Sequence, residues 1–233
     1  MNRLKSLFQA SIAFVNSLFF LTLPNVKISY AKLYFTKIHC LSGCSVNLSR
    51  SNISKSSFNL HGSGNLIKAE NAEISDSIIT VQGVNNRVII DEQVKLRKAT
   101  IVVRGSNCSI YIGAGSTFGQ IRIVNVGKNN TVSIGKSCLF ADNIELWASD
   151  THSIFDIDGK FINAERPVTI GDNVWIGSYV KILKGVTIGS GAIVGMNTLI
   201  SKNIAAKTLN VGHPIRCIKE DVTWSLKYEN EAY

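Results

Sequence analysis

A large aliphatic residue occupies every sixth position in the C-terminal half of the chain. The run is Ile170, Ile176, Ile182, Ile188, Val194 and Ile200. A period of six fits neither an α-helix, which repeats at about 3.6 residues, nor a strand hairpin, which alternates at about two. It is typical of a solenoid in which each coil contains three short strands. The run therefore predicts about two stacked coils of a triangular prism.

The residues between these aliphatic positions predict where the side chains point. A smaller residue lies two places before each following aliphatic residue and is expected to point inward beside it, as in Val174, Val180, Val186, Ala192 and Thr198. Gly follows the aliphatic residue in four of the six units, where the chain must turn a corner at low steric cost. We therefore predict that 168–212 is the regular part of the solenoid.

The N-terminal half repeats with a longer period. Equivalent glycines at Gly62, Gly83, Gly105 and Gly127 are separated by 21, 22 and 22 residues. Apolar residues follow each glycine at five and seven places, which is the pattern of a turn that leads into a strand with one buried face. We interpret 46–147 as wider coils of the same prism, so that the solenoid runs from about Val46 to Val211.

The segment 148–167 interrupts both periods. It reads ASDTHSIFDIDGKFINAERP, carries acidic and basic residues together, and ends at one of only three prolines in the chain. Long loops without secondary structure of their own are uncommon in compact domains and often carry function. We therefore expect the catalytic site in this inserted loop.

The two ends of the chain follow neither repeat. Residues 1–45 are basic and partly apolar, and 4–23 is compatible with a helix, although no uninterrupted apolar run approaches the roughly 18 residues that suggest a membrane span. Residues 213–233 are expected to form an extended exit and a short helix that caps the last coil. The predicted fold is an all-β solenoid with an N-terminal helical segment, one long inserted loop and a short C-terminal capping tail.

Positive charge is concentrated in the first 69 residues. The formal net charge is +9, and residues 1–69 contain eight Lys or Arg and no acidic residue, so the other 17 cations and 16 acids nearly cancel. A basic, partly apolar end predicts contact with an anionic membrane surface or a polyanionic acceptor, or else a helix packed on the solenoid or a neighbouring subunit. Nucleic acid is disfavoured, because no aromatic residues alternate with clustered basic residues as a stacking platform.

The five cysteines are Cys40, Cys44, Cys108, Cys138 and Cys217. Their scattered spacing suggests neither a disulfide framework nor paired metal-ligand motifs. We expect free thiols in a reducing cytoplasm and no bound metal. The expected location is cytoplasmic, with contact at the inner face of the membrane being at most peripheral.

Three stretches of the chain resemble a known family. They are SDTHSIFD at 149–156, NVWIGSYVKILKGVTIGSGAIVGMNTLISK at 173–202 and GHPIRCIK at 212–219. These stretches resemble the hexapeptide-repeat acyltransferases, and more closely the sugar O-acetyltransferases among them. The resemblance implies a left-handed parallel β-helix, a homotrimer, acetyl-CoA as co-substrate and a carbohydrate acceptor. The resemblance is only architectural before about Ser137.

His152 is the candidate general base. Acetyl transfer to a sugar hydroxyl needs a group that removes the proton as the oxygen attacks, and imidazole titrates near neutral pH. A lone loop histidine is more often simply solvated, and it is the resemblance of SDTHSIFD to the family's catalytic loop that implies the role. Asp150 or Asp156 could orient the imidazole, and either could instead hold a turn of the loop.

The resemblance implies further site residues in the regular coils. Trp175 lies between inward Val174 and Ile176, so its indole is expected to point outward, beside the reacting groups or at a subunit contact. The family pattern implies that acetyl-CoA is bound by Ser178, Met196, Ser201, Lys202, Arg216 and Lys219, with the last two at the phosphates, although each could be an ordinary surface residue. It also implies direct transfer in a ternary complex, with a backbone N–H near Gly177 or Ser178 as the oxyanion donor.

These features predict an acetyl-CoA-dependent O-acetyltransferase that modifies a hydroxyl of a bacterial surface polysaccharide or its precursor. One alternative is N-acetylation of an amino sugar or a nucleotide-linked amino sugar, and another is a non-catalytic solenoid scaffold. A carbonic anhydrase on this fold would need three histidines around zinc, an arrangement that the four histidines of this chain lack. The acceptor is expected to contact the inserted loop and residues around Asn143, Glu145 and Trp147.

Overall fold

A stack of short parallel strands makes up the protein. The computed structural model describes residues 10–14, 17–23 and 25–229. Each strand of the prism pairs in parallel with a strand of the coil before it and a strand of the coil after it, over about eight coils. The chain visits three faces in turn, which we name face 1, face 2 and face 3, and it turns at corners 1/2, 2/3 and 3/1.

The strands of each face follow one another at one strand per coil. Face 1 contains the first part of Val26–Tyr34, then Ser45–Ser49, Leu66–Glu70, Arg87–Ile90, Ser109–Ile112, Thr131–Ile134, Val168–Ile170 and Thr187–Ile188. Face 2 contains the second part of Val26–Tyr34, then Asn52–Ser54, Glu73–Ser75, Lys95–Arg97, Thr117–Phe118, Leu139–Phe140, Trp175–Ile176, Ile193–Val194 and Leu209–Val211. Face 3 contains Thr36–Cys40, Ser57–Ser63, Ile78–Val84, Ala99–Ser106, Ile121–Lys128, Ile144–Trp147, Lys181–Ile182 and Leu199–Ile200.

Inward-pointing side chains fill the prism. The smaller inward positions expected in the regular coils are buried, as Val174, Val180 and Val186 show. The apolar residues that follow each recurring glycine in the wider coils are buried as well. Phe118 and Phe140 stack on one another there, with ring centroids 4.6 Å apart. The predicted phase of both repeats is therefore confirmed.

Corner 3/1 is built from stacked glycines and buried asparagines. Gly83 and Gly105 have φ values of 111° and 134°, and a Cβ on either would overlap the carbonyl oxygen of the next glycine in the stack. The buried side chain of Asn86 accepts the N–H of Cys108 at 2.9 Å and donates to the carbonyl of Gly105 at 3.0 Å. This corner is closely packed, and the inserted loop leaves the prism from it.

The prism begins earlier than the sequence pattern indicates. Val26–Tyr34 pairs with strands of the next coil on two faces, so the solenoid starts near Val26 rather than near Val46. The expected N-terminal helix is wrong for Ala10–Phe14 and Ser17–Leu23, which are strands antiparallel to the first coil. The edge of the first coil presents unpaired backbone groups, and an extended segment satisfies them where a helix cannot. The remainder of that expectation lies outside the described residues.

The C-terminal tail covers the last coil without a helix. Arg216–Lys219 is a strand antiparallel to Leu209–Val211, and Ile215 just before it is buried in the core. The expected short helix is wrong within the described residues up to 229. The tail instead turns back along corner 1/2, where the Val222 N–H donates to the carbonyl of Lys207 at 3.0 Å. Contacts with the prism backbone replace those that a helix would make within itself.

Candidate functional site

The inserted loop leaves the prism at corner 3/1, between a strand of face 3 and a strand of face 1. Its ends are tied together, because the Arg166 N–H donates to the carbonyl of Ala148 at 3.2 Å. The Glu165 carboxylate accepts the N–H of Lys128 at 2.5 Å. It lies against Gly127, in the place that Gly127 itself occupies against Gly105 one coil earlier. The base of the loop is therefore fixed to the coil below it.

The outer half of the loop is a short hairpin with an exposed apolar surface. Phe155 pairs with Phe161 across the hairpin, with ring centroids 6.0 Å apart. One carboxylate oxygen of Asp156 accepts the N–H groups of Asp158 at 3.1 Å and Lys160 at 2.9 Å, which closes the turn. Asp156 therefore holds the turn, one of the two roles considered for it.

Asn163 and Lys184 hold the part of the loop that contains His152. The Asn163 side-chain amide donates to the carboxylate of Asp150 at 2.8 Å and to the carbonyl of His152 at 2.9 Å. Its side-chain oxygen accepts the N–H of Ile154 at 2.6 Å. Lys184 lies on the next coil with a side chain 13% exposed, and it donates to Asp150 at 2.5 Å and to the carbonyl of Asn163 at 2.8 Å. We name Asp150, Asn163 and Lys184 the loop clamp.

The Asp150 carboxylate of the loop clamp stays charged at neutral pH. Partial burial alone would raise the pKa of the Asp150 carboxyl, but hydrogen bonds from Lys184 and Asn163 outweigh it and hold the pKa below its usual value of 3.8. Because the folded pKa is lowered, the stabilisation is present above the unfolded pKa and is lost only as the pH falls through the folded value. Any change in activity between roughly pH 5 and 8 therefore arises from groups other than Asp150.

The His152 side chain is exposed beside the loop clamp. Its imidazole forms no hydrogen bond with another described residue, so neither Asp150 nor Asp156 orients the ring within one chain. The preceding Thr151 has φ 63°, a left-handed conformation that a β-branched residue rarely adopts. Such strain persists only where the surroundings impose it. The backbone of His152 is thus fixed, while its ring is accessible to a substrate.

Trp175 lies on the outside of face 2 and is covered in part by the C-terminal tail. Its side chain is 39% exposed, and the Trp224 ring centroid lies 6.0 Å from its own. The Trp224 indole N–H donates to the carbonyl of Asn173 at 2.8 Å, which fixes the second ring. Aromatic rings at this separation attract each other. The tail therefore forms one wall beside Trp175, a feature with no signal in either sequence repeat.

His152 and Trp175 do not meet within one chain. The loop with His152 projects from corner 3/1, whereas Trp175 lies on face 2. In a triangular prism, face 2 is the side opposite corner 3/1. A site that uses both residues therefore requires two copies of the chain, with corner 3/1 of one copy beside face 2 of the other.

Three of the six residues expected to bind acetyl-CoA form a row along corner 2/3. Ser178 and Met196 lie on successive coils there, and the Asn197 N–H donates to the carbonyl of Ser178 at 2.9 Å. Arg216 continues the row, because it pairs with Val211 in the strand that flanks the last coil. The row starts beside Trp175 and ends at an exposed guanidinium.

The other three residues lie elsewhere on the chain. Ser201 and Lys202 are at corner 3/1, directly after the strand Leu199–Ile200. This strand lies one coil beyond Lys184. Lys219 pairs with Leu209, at the end of its strand farther from corner 2/3. All three cations of the expected set are exposed, and none forms an ion pair with another described residue. Lys202, Arg216 and Lys219 therefore have no ion pair among the described residues that would compete with a phosphate group.

The Gly177 N–H is already used within the prism. It donates to the carbonyl of Val194 at 2.8 Å as part of the pairing between coils. A backbone donor in such a bond cannot also stabilise negative charge on a substrate unless the bond breaks. Of the two backbone positions expected to serve as the oxyanion donor, Ser178 therefore remains.

A polar patch on face 3 lies beside the base of the inserted loop. The Arg122 guanidinium lies over the Trp147 ring, 5.5 Å from its centroid, and the Trp147 indole N–H donates to Glu145 at 2.9 Å. A cavity of about 220 Å³ adjoins the patch and is lined in part by Lys98 and Asn143. From the sequence, the acceptor is expected to contact the inserted loop and residues around Asn143, Glu145 and Trp147. Arg122 was missed, because it lies one coil earlier and becomes a neighbour only through strand pairing.

Comparisons with known proteins show the family to which the chain belongs. The family described as Bacterial transferase hexapeptide (six repeats) matches residues 167–202. A polysialic acid O-acetyltransferase of Neisseria meningitidis is 31% identical over 147 residues, which cover 53% of this chain and 68% of that protein. The chain belongs to the hexapeptide-repeat acyltransferases.

Other hexapeptide-repeat acyltransferases match over different lengths. A galactoside O-acetyltransferase of Escherichia coli K12 is 38% identical over 118 residues, which cover 50% of this chain and 55% of that protein. The chain spans about half the length of several curated relatives that it matches. The crystal structure of the polySia-specific acetyltransferase NeuO matches with a TM-score of 0.70 and 27% identity, over 89% of this chain and 90% of that chain. The fold is accordingly the left-handed parallel β-helix of this family.

The family match covers part of the candidate site. Residues 167–202 include Trp175, Ser178 and Met196, whereas the loop with His152 and the tail with Arg216 lie outside them. Within the described part of the chain, no group of three or more His, Cys, Asp or Glu is placed to hold a metal ion. The described residues also contain no helix that is long and apolar enough to cross a bilayer.

The five cysteines of this hexapeptide-repeat protein are free thiols. Four of them are buried and Cys217 is exposed. Burial, with a smaller contribution from the neighbouring Cys44, raises the pKa of Cys40 to about 11. Burial also raises the pKa of Cys108 and Cys138. A raised pKa keeps a thiol protonated and unreactive at neutral pH, so these three cysteines are poor nucleophiles.

Proposed function

We propose that the protein is an acetyl-CoA-dependent O-acetyltransferase that modifies a hydroxyl group of a bacterial surface polysaccharide or its precursor, in the cytoplasm. The observation that carries this proposal is the likeness to the polySia-specific acetyltransferase over nearly the whole chain. The loop clamp adds support, because it fixes the backbone of an exposed histidine at the edge of the prism.

The active assembly is a homotrimer with three sites, each between two copies. Corner 3/1 of one copy supplies His152, and face 2 of the next copy supplies Trp175 and the tail residue Trp224. A contact that joins one surface of a copy to a different surface of the next copy is heterologous. Such contacts are all satisfied when the copies form a closed ring. A ring of three repeats the corner-to-face contact three times and leaves no partner surface unused.

Acetyl-CoA supplies the acetyl group as an activated thioester at this junction. Ser178 and Met196 of one copy would flank its pantetheine arm, and Arg216 would meet its phosphates. Arg suits this task because its guanidinium can donate two parallel hydrogen bonds to a phosphate. Ser201 and Lys202 at corner 3/1 of the other copy would line the opposite side. A groove with one side from each copy explains why Ser178, Met196 and Arg216 lie apart from Ser201 and Lys202 within one chain.

His152 removes a proton from the acceptor hydroxyl. As the hydroxyl oxygen bonds to the acetyl carbonyl carbon, the neutral imidazole takes its proton. The carbon–sulfur bond then breaks, and the imidazole returns the proton to the departing thiolate. The backbone N–H of Ser178 is the candidate donor to the carbonyl oxygen, which carries the negative charge in the tetrahedral intermediate before the carbon–sulfur bond breaks.

The acceptor is a glycan with acidic groups. Arg122 on face 3 and Lys98 at corner 2/3 place two cations at the same recess, and the Trp147 ring lies against the Arg122 guanidinium. Cations that face a recess favour a ligand with carboxylates, and aromatic rings favour the apolar side of a sugar. The relatives named for polysialic acid support the same class of acceptor.

Acetyl transfer to a purified polysaccharide tests the proposal. The protein is incubated with acetyl-CoA and either an acidic capsular polysaccharide or a neutral galactoside, and the products are examined by mass spectrometry. The proposal predicts an acetyl ester on the acidic polymer that mild base removes. A base-stable amide would favour N-acetylation of an amino sugar. Acetyl-CoA binding without transfer to any glycan would favour a scaffold.

Loss of the Asn163 side chain is expected to slow the reaction while substrate binding persists. Asn163→Ala removes three hydrogen bonds around His152 and releases the strained backbone at Thr151. Misplacement of a catalytic group by about 1 Å costs on the order of 100-fold in rate, so we expect kcat to fall about 10- to 100-fold. The KM for acetyl-CoA should change little. Steady-state kinetics on the purified variant measure both quantities.

Three further variants separate positioning from a general loss of structure. Lys184→Met should reproduce the fall in kcat, and Lys184→Arg should restore part of it, because the charge that holds Asp150 returns. Asn203→Ala is the matched control, since its side chain accepts the N–H of Thr187 at 2.8 Å at the same corner and forms no hydrogen bond with the described loop residues. A wild-type kcat in Asn163→Ala, or an equal fall in Asn203→Ala, would contradict a positioning role.

A further inference from the structure

The first coil of the prism carries a lysine on each of its three faces. These exposed residues are Lys27, Lys32 and Lys37. The paired positions in the next coil hold neutral residues, namely Asn47, Asn52 and Ser57. A lysine on every face at one level forms a ring around the prism, in contrast to a stripe along one face.

The first coil also carries an exposed aromatic residue at two of its corners. Tyr30 is 65% exposed at corner 1/2, and Phe35 is 62% exposed at corner 2/3. Both have left-handed backbones, with φ of 54° and 48°, which bulky residues rarely adopt. The equivalent corner positions of the next two coils hold polar residues, namely Arg50, Asn71, Lys55 and Asp76. Local backbone preference therefore does not account for the aromatic residues.

No ion pair among the described residues balances the charge of this ring. Residues 1–69 contain no acidic residue. Glu70 pairs with Arg50 of the preceding coil at 2.6 Å and with Lys68 of its own strand at 3.2 Å, so it is already paired with cations outside the first coil. Lys27, Lys32 and Lys37 form no ion pair with any residue that the structure describes. The N-terminal end of the prism is therefore strongly positive.

Two antiparallel strands lie beyond the ring. Ala10–Phe14 and Ser17–Leu23 pair with the first coil on the side away from the other coils. The sequence contains no charged residue from Ser6 to Val26. The end of the prism thus combines an uncharged, apolar sequence with a ring of lysines and aromatic residues. We name Lys27, Tyr30, Lys32, Phe35 and Lys37 the first-coil collar.

We propose that the first-coil collar binds an anionic membrane surface, with the prism standing end-on to it. Lysines are attracted to anionic headgroups, and aromatic residues prefer the boundary between headgroups and acyl chains. A ring around the end of a rod faces a plane, whereas a linear polyanion would be followed by a stripe of cations along one face. Aromatic residues do alternate with lysines here, contrary to the sequence-based expectation, but they surround an end and do not line a track for nucleic acid.

End-on binding leaves the proposed catalytic surfaces accessible. The collar lies several coils from corner 3/1 at the inserted loop and from Trp175 on face 2. Membrane binding and acetyl transfer are therefore separable properties. Acetyl transfer to a soluble acceptor is expected to stay unchanged when the collar is altered, so that failure of one proposal leaves the other intact.

Vesicle sedimentation with the purified full chain tests the collar. The protein should bind vesicles of phosphatidylcholine with phosphatidylglycerol, bind phosphatidylcholine alone poorly, and be released by salt. The variant Lys27→Asn, Lys32→Asn, Lys37→Ser adopts the residues that the next coil already has in these positions. Each lysine at an anionic surface contributes about fivefold in affinity, so the triple variant should bind about 100-fold more weakly.

A charge-matched control separates the collar from net charge. Lys95, Arg97 and Lys98 are exposed cations of a later coil, and replacing all three by Asn removes the same charge. That control should bind vesicles as the wild type does. The double variant Tyr30→Asn, Phe35→Asn should bind vesicles more weakly although its charge is unchanged. Asn is chosen as the replacement because it tolerates the left-handed backbone.

Three results would overturn the membrane proposal. The first is absence of wild-type binding to anionic vesicles, or equal binding by the collar variant. The second is a wild-type protein that binds a soluble acidic polysaccharide but not vesicles, together with a collar variant that no longer binds the polysaccharide. This result would assign the collar to the acceptor. The third is a wild-type protein that associates end to end in sedimentation velocity but does not bind vesicles, together with a collar variant that no longer associates.

Discussion

Replacing His152 by alanine is expected to reduce acetyl transfer by about a thousandfold, because a positioned base contributes on the order of 100- to 10,000-fold. The nearby carboxylate of Asp150 cannot take over, since it is held by Lys184 and Asn163 and its pKa is lowered. Release of free thiol from acetyl-CoA in the presence of a glycan acceptor measures the rate. Acetyl-CoA binding, assembly and melting temperature should stay at wild-type values, because the imidazole forms no hydrogen bond within the described chain.

His61→Ala is the control for the loss of an exposed histidine. His61 lies on face 3, several coils from the inserted loop, and its side chain is exposed. Transfer by this variant should equal that of the wild type. Full turnover by His152→Ala would show that another group removes the proton, and the proposed role of the inserted loop would then be wrong.

Replacing Gly105 by alanine is expected to lower the free energy of unfolding by about 4 kcal/mol, which combines backbone strain with a steric overlap. The φ of Gly105 is 134°, a region that L-residues other than glycine rarely adopt. The added Cβ would overlap the carbonyl oxygen of Gly127 on the next coil, and a paired backbone cannot move away as a flexible side chain can. Denaturant unfolding at a fixed protein concentration measures the difference.

Gly115→Ala is the matched control for this effect. Gly115 also has a positive φ, 71°, but the nearest atom to an added Cβ is the Ser137 Oγ at 3.6 Å, an ordinary contact. This variant should lose only the conformational cost of about 1 to 2 kcal/mol. Equal losses in the two variants would mean that the glycine stack at corner 3/1 does not limit the packing of the coils.

The regular features of the fold could be predicted from the sequence because they follow from local geometry. A period of six places Ile176 and Ile182 inside the prism whatever surrounds it, and both are buried. The strand Ser17–Leu23 could not be predicted, because its apolar sequence is compatible with a helix as well as a strand. Its conformation is decided by the unpaired edge of the first coil, which is a tertiary effect.

The candidate site was only partly visible in the sequence. His152 and Trp175 could be named because short motifs around them resemble the family, but no motif states that they lie on opposite sides of the prism. The loop clamp was missed because strand stacking brings Lys184 to Asp150 across 34 residues of sequence. Trp224 was missed for the same reason, since 51 residues separate it from Asn173.

Activity in assemblies made from two inactive variants tests most directly whether the sites lie between copies. His152→Ala and Trp175→Ala carry different tags and are produced together, and the mixed assemblies are purified through both tags in turn. Each variant alone is expected to be nearly inactive. In any mixed ring of three, one junction out of three combines an intact His152 from one copy with an intact Trp175 from the next.

The account therefore predicts that the doubly purified assemblies recover about one third of wild-type acetyl transfer per trimer. A site contained within a single chain would give a different result, because every chain in the mixture lacks one of the two residues. Activity no higher than that of the separately prepared variants would contradict the account.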